Sequence, residues 1–233
     1  MRLIARKQQM SEQNFRFLIL LLTLVAMLLI PTYVENARIL EHLWTLCATG
    51  VMVAAFYSLA GGGLMSLFWM SLLVVPTIAT NWLNLYLNYD WVVYADNLTT
   101  IVYFSLVGWF LIRFIMRASI VTSNVIYAAL CLYMILAFIW AAIYHLHFVY
   151  FDESFLFSND ALTNMADNSE TTFSMFNYYS FVTLTTLGYG DIVPVTRSTQ
   201  AWVAVEAMVG QFYIAIVIAR LVSAHQPANI TDN

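Results

Sequence analysis

Apolar residues in this chain come in long blocks, and polar residues are confined mostly to the gaps between them. The first block runs from Phe15 to Ile30 and ends at Pro31, after a polar start carrying Arg2, Arg6 and Lys7. A secretory leader has the same layout, but no small-x-small cleavage site follows, so a retained first span is expected. Glu35 to His42 reads as a short polar connection. Leu43–Ala60 and Leu64–Thr80 are two further blocks, separated by Gly61-Gly62-Gly63. Together they exceed the roughly 20 residues that cross a bilayer, so a glycine hairpin between two antiparallel helices is expected. Pro76 is expected to kink the second of them near its end.

Asn81 to Asn97 mixes polar residues with Trp82, Tyr86, Tyr89, Trp91 and Tyr94. Such aromatics suit the membrane interface, so this stretch reads as a connection. Leu98–Met116 is a fourth span, and Val121–Phe148 a long, tilted fifth whose start Thr122, Ser123 or Asn124 can cap. Tyr150 to Glu170 is the one long polar loop. Thr171–Thr185 is moderately apolar but too short to span, and Ser198–Val222 is the last spanning block. The pattern predicts an all-α membrane protein with six transmembrane helices and a short re-entrant helix between the fifth and sixth. Its expected units are a four-helix domain over 1–118, a second domain over 119–226 and a short cytoplasmic tail over 227–233.

Composition agrees with lipid as the main solvent. The chain is 62% hydrophobic and 9% charged, with a mean hydropathy of +0.77, whereas soluble domains carry about 25% charged residues. Arg2, Arg6, Lys7, Arg16, Arg113, Arg117 and Arg220 fall on one side of this topology, against Arg38 and Arg197 on the other. The positive-inside rule therefore places both termini in the cytoplasm and makes the acidic loops external. The expected location is the cell membrane. No basic patch with interleaved aromatics points to nucleic acid.

Several residues invite chemistry. Arg113 and Arg117 lie four apart, but Leu98–Ile112 carries no charge, so anchoring at the cytoplasmic face is expected rather than voltage sensing. His145 and His147 point to different helix faces and do not form a ligand pair, although external pH sensing stays open. Cys47 and Cys131 sit in apolar blocks and read as inert. Asn97 and Asn229 match the glycosylation pattern but fall at the membrane and in the cytoplasmic tail. No nucleophile, paired carboxylates or metal-ligand cluster converges in sequence, so neither an enzyme nor a cofactor is expected. The tail is too short to hold a nucleotide- or calcium-binding domain.

One stretch is not membrane helix: Thr185-Thr186-Leu187-Gly188-Tyr189-Gly190-Asp191. Glycine at alternate positions lets a short strand turn successive carbonyl oxygens the same way. A row of such oxygens can replace the hydration shell of a cation. Backbone of this kind at membrane depth must be buried in protein or line water. One copy cannot surround an ion, so several chains are expected to meet around it. The plainer reading is a loop that happens to contain two glycines.

Thr183 to Pro194 resembles the pore loop of tetrameric potassium channels. The last helix, with Trp202, Glu206, Gly210-Gln211-Phe212 and Arg220, is similar to that of small prokaryotic ion-channel proteins. The resemblance implies a homotetramer in a lipid bilayer, conducting K+ passively. It implies that Thr186, Leu187, Gly188, Tyr189 and Gly190 form a selectivity filter, with K+ at the first four. It also implies that Thr185, Asp191, Tyr178, Tyr179 and Glu206 support the filter, the two tyrosines standing where many members have tryptophans. Leu187 replaces the commoner valine or isoleucine and is expected to face the pore helix. Glu206 is expected behind the filter, bonded to the pore loop. Gly210 is either a gate hinge or a close-packing site. The competing readings are a less selective cation channel, a transporter with four pore units in one chain, and a non-conducting regulatory subunit.

Overall fold

The computed structural model describes residues 2–33, 37–59, 64–87, 89–118, 120–151, 154–158 and 169–225. Its helices are α1 (Arg2–Leu29), α2 (Ala37–Leu59), α3 (Leu64–Tyr86), α4 (Asp90–Arg117), α5 (Ser123–Tyr150), α6 (Ser169–Leu184) and α7 (Arg197–His225). Two short strands, β1 (Phe155–Phe157) and β2 (Ile192–Pro194), complete the order. α1 gives way to a 3-10 turn over Ile30–Tyr33, where Pro31 lacks the N–H that an α-helix requires.

Four helical stretches among the described residues are long and apolar enough to cross a membrane: Ile39–Leu59, Asp90–Arg117, Ser123–Tyr150 and Arg197–Val217. The chain is therefore a multi-pass membrane protein. The sequence pattern predicts six spans. In α1 the apolar stretch is the shorter Arg16–Leu29, and α3 runs for 23 residues with Pro76 inside it. α3 is not ended by that proline but continues to Tyr86. The glycine hairpin at 61–63 lies outside the described residues, as do 159–168 of the long loop and the tail from 226.

Two expected connections are helical instead. α2 begins at Ala37, within the stretch read as a linker over 35–42. Most of the 81–97 stretch is helix, α3 reaching Tyr86 and α4 starting at Asp90. Part of its polar content is paired within the protein: Asn81 and Asn84 bond to Asp96 across α3 and α4, and threonines flanking the stretch pair in the same way. Thr80 Oγ1 meets Thr99 Oγ1 at 2.9 Å, and Asn97 Nδ2 donates to Val93 O at 2.8 Å. At the start of α5, Thr122 is the N-cap, with no hydrogen bond from its side chain.

The core follows α5. Leu20, Leu24, Tyr103, Phe104, Leu111, Leu132, Ile135 and Phe138 belong to one buried cluster shared by α1, α2, α4 and α5. A second cluster joins α5 to α6 and the two strands through Ala141, Tyr144, Phe155, Phe176, Tyr179, Leu184 and Ile192, and Val203 and Val209 of α7 pack against it. Much of α7 is uncovered in the single chain: Trp202, Val205, Met208, Phe212 and Ile216 are exposed. They recur at helical spacing, so one apolar stripe faces lipid or another chain.

The fold is not wholly helical. β1 and β2 pair antiparallel, with Phe155 opposite Pro194, Leu156 opposite Val193 and Phe157 opposite Ile192. Phe155 and Ile192 are buried, so the ribbon is pinned by its inner face. It ties the loop after α5 to the segment that leads into α7.

Candidate functional site: the segment between α6 and α7

α6 ends at Leu184 and the chain turns at once into an extended run. Thr186 has φ 61°, Gly188 φ 57° and Gly190 φ 78°. Left-handed backbone therefore falls on three alternate residues. Strands do not do this: alternating hand turns the peptide planes so that successive carbonyls share one side. The sequence motif assigns the unusual angles to the glycines. The threonine that shares them carries no such signal, and it is the only non-glycine residue with positive φ among the described residues. A residue with a Cβ held there costs roughly 1–2 kcal/mol, so the surroundings must hold it.

Those surroundings are the last turn of α6. Thr185 N donates to Phe181 O at 3.0 Å, Thr186 N to Thr183 O at 2.9 Å and Leu187 N to Val182 O at 2.9 Å. The Thr185 hydroxyl adds a bond to Phe181 O at 2.6 Å. The run is thus tucked against the C-terminal end of α6, where the helix carries its partial negative charge. Leu187 and Tyr189 remain 58% and 66% exposed in the single chain. Leu187 lines an apolar cleft of about 380 Å³ with Phe181 and Val182, closed on its other side by Leu28, Leu29 and Trp44.

The outer end is fixed by Asp191. Its Oδ2 accepts from the Tyr178 hydroxyl at 2.7 Å, and its Oδ1 from Ile192 N at 3.1 Å. Its carbonyl accepts from Ser158 N at 2.9 Å. The Tyr178 and Tyr189 rings stack, 6.5 Å apart and 3° from parallel. Tyr178 therefore donates to Asp191 rather than to the tyrosine of the motif. Tyr179, on the next face of α6, is buried among Tyr144 and Phe155.

Glu206 lies fully buried, at 0% exposure. It accepts from Tyr144 Oη of α5 and Ser180 Oγ of α6, both at 2.5 Å. The carboxyl thus joins three helices one layer behind the extended run, on α6 itself rather than on the loop. Neither hydroxyl is evident as its partner from sequence, because each lies in an ordinary apolar helix pattern. Gly210, one turn further, is in close contact. A Cβ there would stand 2.4 Å from Leu184 O, the carbonyl that also receives the Tyr133 hydroxyl at 3.1 Å.

The remaining candidates lie elsewhere. His147 meets Ser198 Oγ at 3.1 Å. His145 is 2% exposed and faces Asn97. Arg220 Nη2 donates to Ala118 O at 2.6 Å and so links the C-terminal part of α7 to the end of α4. Cys47 and Cys131 are free thiols. Among the described residues no three His, Cys, Asp or Glu side chains gather as a metal site.

Residues 120–226 match the protein family described as "Ion channel". The matched segment begins just before α5 and ends just after α7, a little under half of the chain. It supports a cation-channel family and indicates an ion channel. A channel of this family needs no cofactor, the permeant ion being its ligand. No curated protein and no solved structure matches the chain.

Proposed function

We propose that the protein is a potassium-selective channel, a homotetramer in which four copies of the Thr186–Gly190 run surround one ion path. The observation that carries this reading is the alternation of left-handed backbone at Thr186, Gly188 and Gly190. With it, the carbonyls of Thr186, Leu187, Gly188 and Tyr189 form successive oxygen rings, and a dehydrated cation exchanges water for them. The Thr186 hydroxyl completes the innermost ring, and Gly190 opens the mouth. The C-terminal end of α6 adds a favourable potential for a cation below the filter.

The supporting residues take roles that follow from their contacts. Asp191, held by Tyr178, anchors the mouth to the β-ribbon. Glu206 locks α6 to α5 and α7 behind the filter. Gly210 lets α7 touch the end of α6, which favours close packing over a hinge at that position. The exposed stripe of α7 and the exposed Leu187 and Tyr189 are surfaces that neighbouring copies cover. In this reading the chain crosses the membrane six times, with α1 and α3 completing the set, both termini cytoplasmic, and the first four helices forming a domain that does not sense voltage.

The test is assembly and flux together. Protein purified alone should run as four copies by native mass spectrometry and carry K+ into liposomes down a gradient. A monomer, or a tetramer that passes no K+, contradicts the proposal; the second outcome is that of a non-conducting subunit.

A further inference from the structure

A separate polar cavity lies among the helices, its polar side chains coming from α3, α4 and α5. It has a volume of about 30 Å³ and is lined by Asn81, Asn84, Asp96, Asn97, Thr100 and His145, with Trp44 and apolar side chains completing the wall. That is room for a water-sized occupant. Asn81, Asn84 and His145 are 7%, 9% and 2% exposed. Each has one polar atom without a partner: Oδ1 of both asparagines and Nε2 of the histidine.

The protonation pattern follows from the bonds. Both asparagine side chains bond to Asp96; a carboxylate only accepts, so their amide N–H groups face it and their oxygens are left over. Asn97 Nδ2 already donates to Val93 O, so its Oδ1, 3.1 Å from His145 Nδ1, accepts from that ring nitrogen. In the neutral imidazole Nε2 then carries a lone pair. The atoms left without a partner here are therefore two amide oxygens and one imidazole nitrogen, which stand beside one carboxylate, and all of these are acceptors. Thr80 is a further donor to Asp96, at 3.3 Å, and Asp96 has no basic partner among the described residues.

A single water has two protons to give and no charge. It leaves acceptors unpaired and the carboxylate uncompensated, and both are costly when buried. A small cation meets every lone pair at once. One carboxylate balances one positive charge, and oxygen donors suit hard ions. Asp96 is partly exposed, so the cavity has a mouth.

We propose that the Asn81–Asn84–Asp96–His145 cavity binds one small monovalent cation, of sodium size, independently of the filter. The bound ion braces the first four helices against the pore half. His145 belongs to α5, its ring meets Phe173 of α6 edge-on at 5.4 Å, and the preceding Tyr144 holds Glu206.

The full-length protein in detergent tests this by thermal unfolding, at fixed saturating K+ and constant ionic strength, with sodium chloride replacing choline chloride. The wild-type midpoint should rise with sodium and saturate. Asp96→Asn should lose that rise, and Asn84→Ala should need at least about tenfold more sodium for half the effect. Gly188→Ala, altered only in the filter, should keep it. Equal wild-type midpoints in sodium and choline overturn the proposal and leave a water or a proton in the cavity. So does an undiminished rise in Asp96→Asn, or in Asn84→Ala should the first variant not fold. Unfolding requires no conduction, so its result stands apart from that of the flux assay.

Discussion

Removing the Glu206 carboxyl separates a structural lock from an incidental polar contact. Glu206, Tyr144 and Ser180 are 0%, 1% and 0% exposed, so no water takes over a lost bond. In Glu206→Ala, Ser180 keeps a partner, because its hydroxyl also reaches Ala137 O at 2.8 Å. Tyr144 Oη has no second partner of that kind. Its unpaired hydroxyl sets the loss, at about 1–3 kcal/mol per chain. Glu206→Gln behaves differently. The amide oxygen accepts from Tyr144, while the amide N–H donates to Ser180 Oγ as that hydroxyl turns to Ala137 O. The expected loss is under about 1 kcal/mol. Graded denaturation in micelles, followed by near-ultraviolet circular dichroism, measures both variants. Alanine and glutamine variants of equal stability, or an alanine variant as stable as wild type, refute the reasoning.

Gly210→Ala places a methyl group 2.4 Å from Leu184 O, so α7 must withdraw from the end of α6. The expected cost is about 1–3 kcal/mol, with reduced flux because Leu184 leads directly into the filter run; unchanged stability and flux contradict it. Tyr178→Phe removes the 2.7 Å bond to Asp191 while the ring stack on Tyr189 persists. Stability should change by less than about 1 kcal/mol, since this pair is solvent-exposed, while sodium leak through reconstituted protein increases. Asp191→Asn should keep part of the bond and leak less than Asp191→Ala.

The parts of the fold that were legible are those where one physical rule dominates. The apolar runs of α5 and α7 exceed what any soluble core requires, and only lipid explains them. The 81–97 stretch reads as a connection because its pairing is invisible in a linear pattern: Asn81 and Asn84 on α3 reach Asp96 on α4. β1 and β2 are three residues each, too short for alternation to register. At the candidate site the glycine spacing was visible, whereas the left-handed Thr186 was not, because its angle is imposed by bonds from the end of α6. Glu206 stood out as a carboxylate within an apolar helix, but its partners depend on how α5 and α6 pack.

Potassium selectivity is the central claim, and flux through purified, reconstituted protein tests it most directly. Liposomes loaded with K+ or Na+ should show rapid K+ movement and much slower Na+ movement. Gly188→Ala, which forces a side chain onto the left-handed backbone at φ 57°, should abolish the difference. Sodium passing as readily as potassium through the unmodified protein would contradict the account.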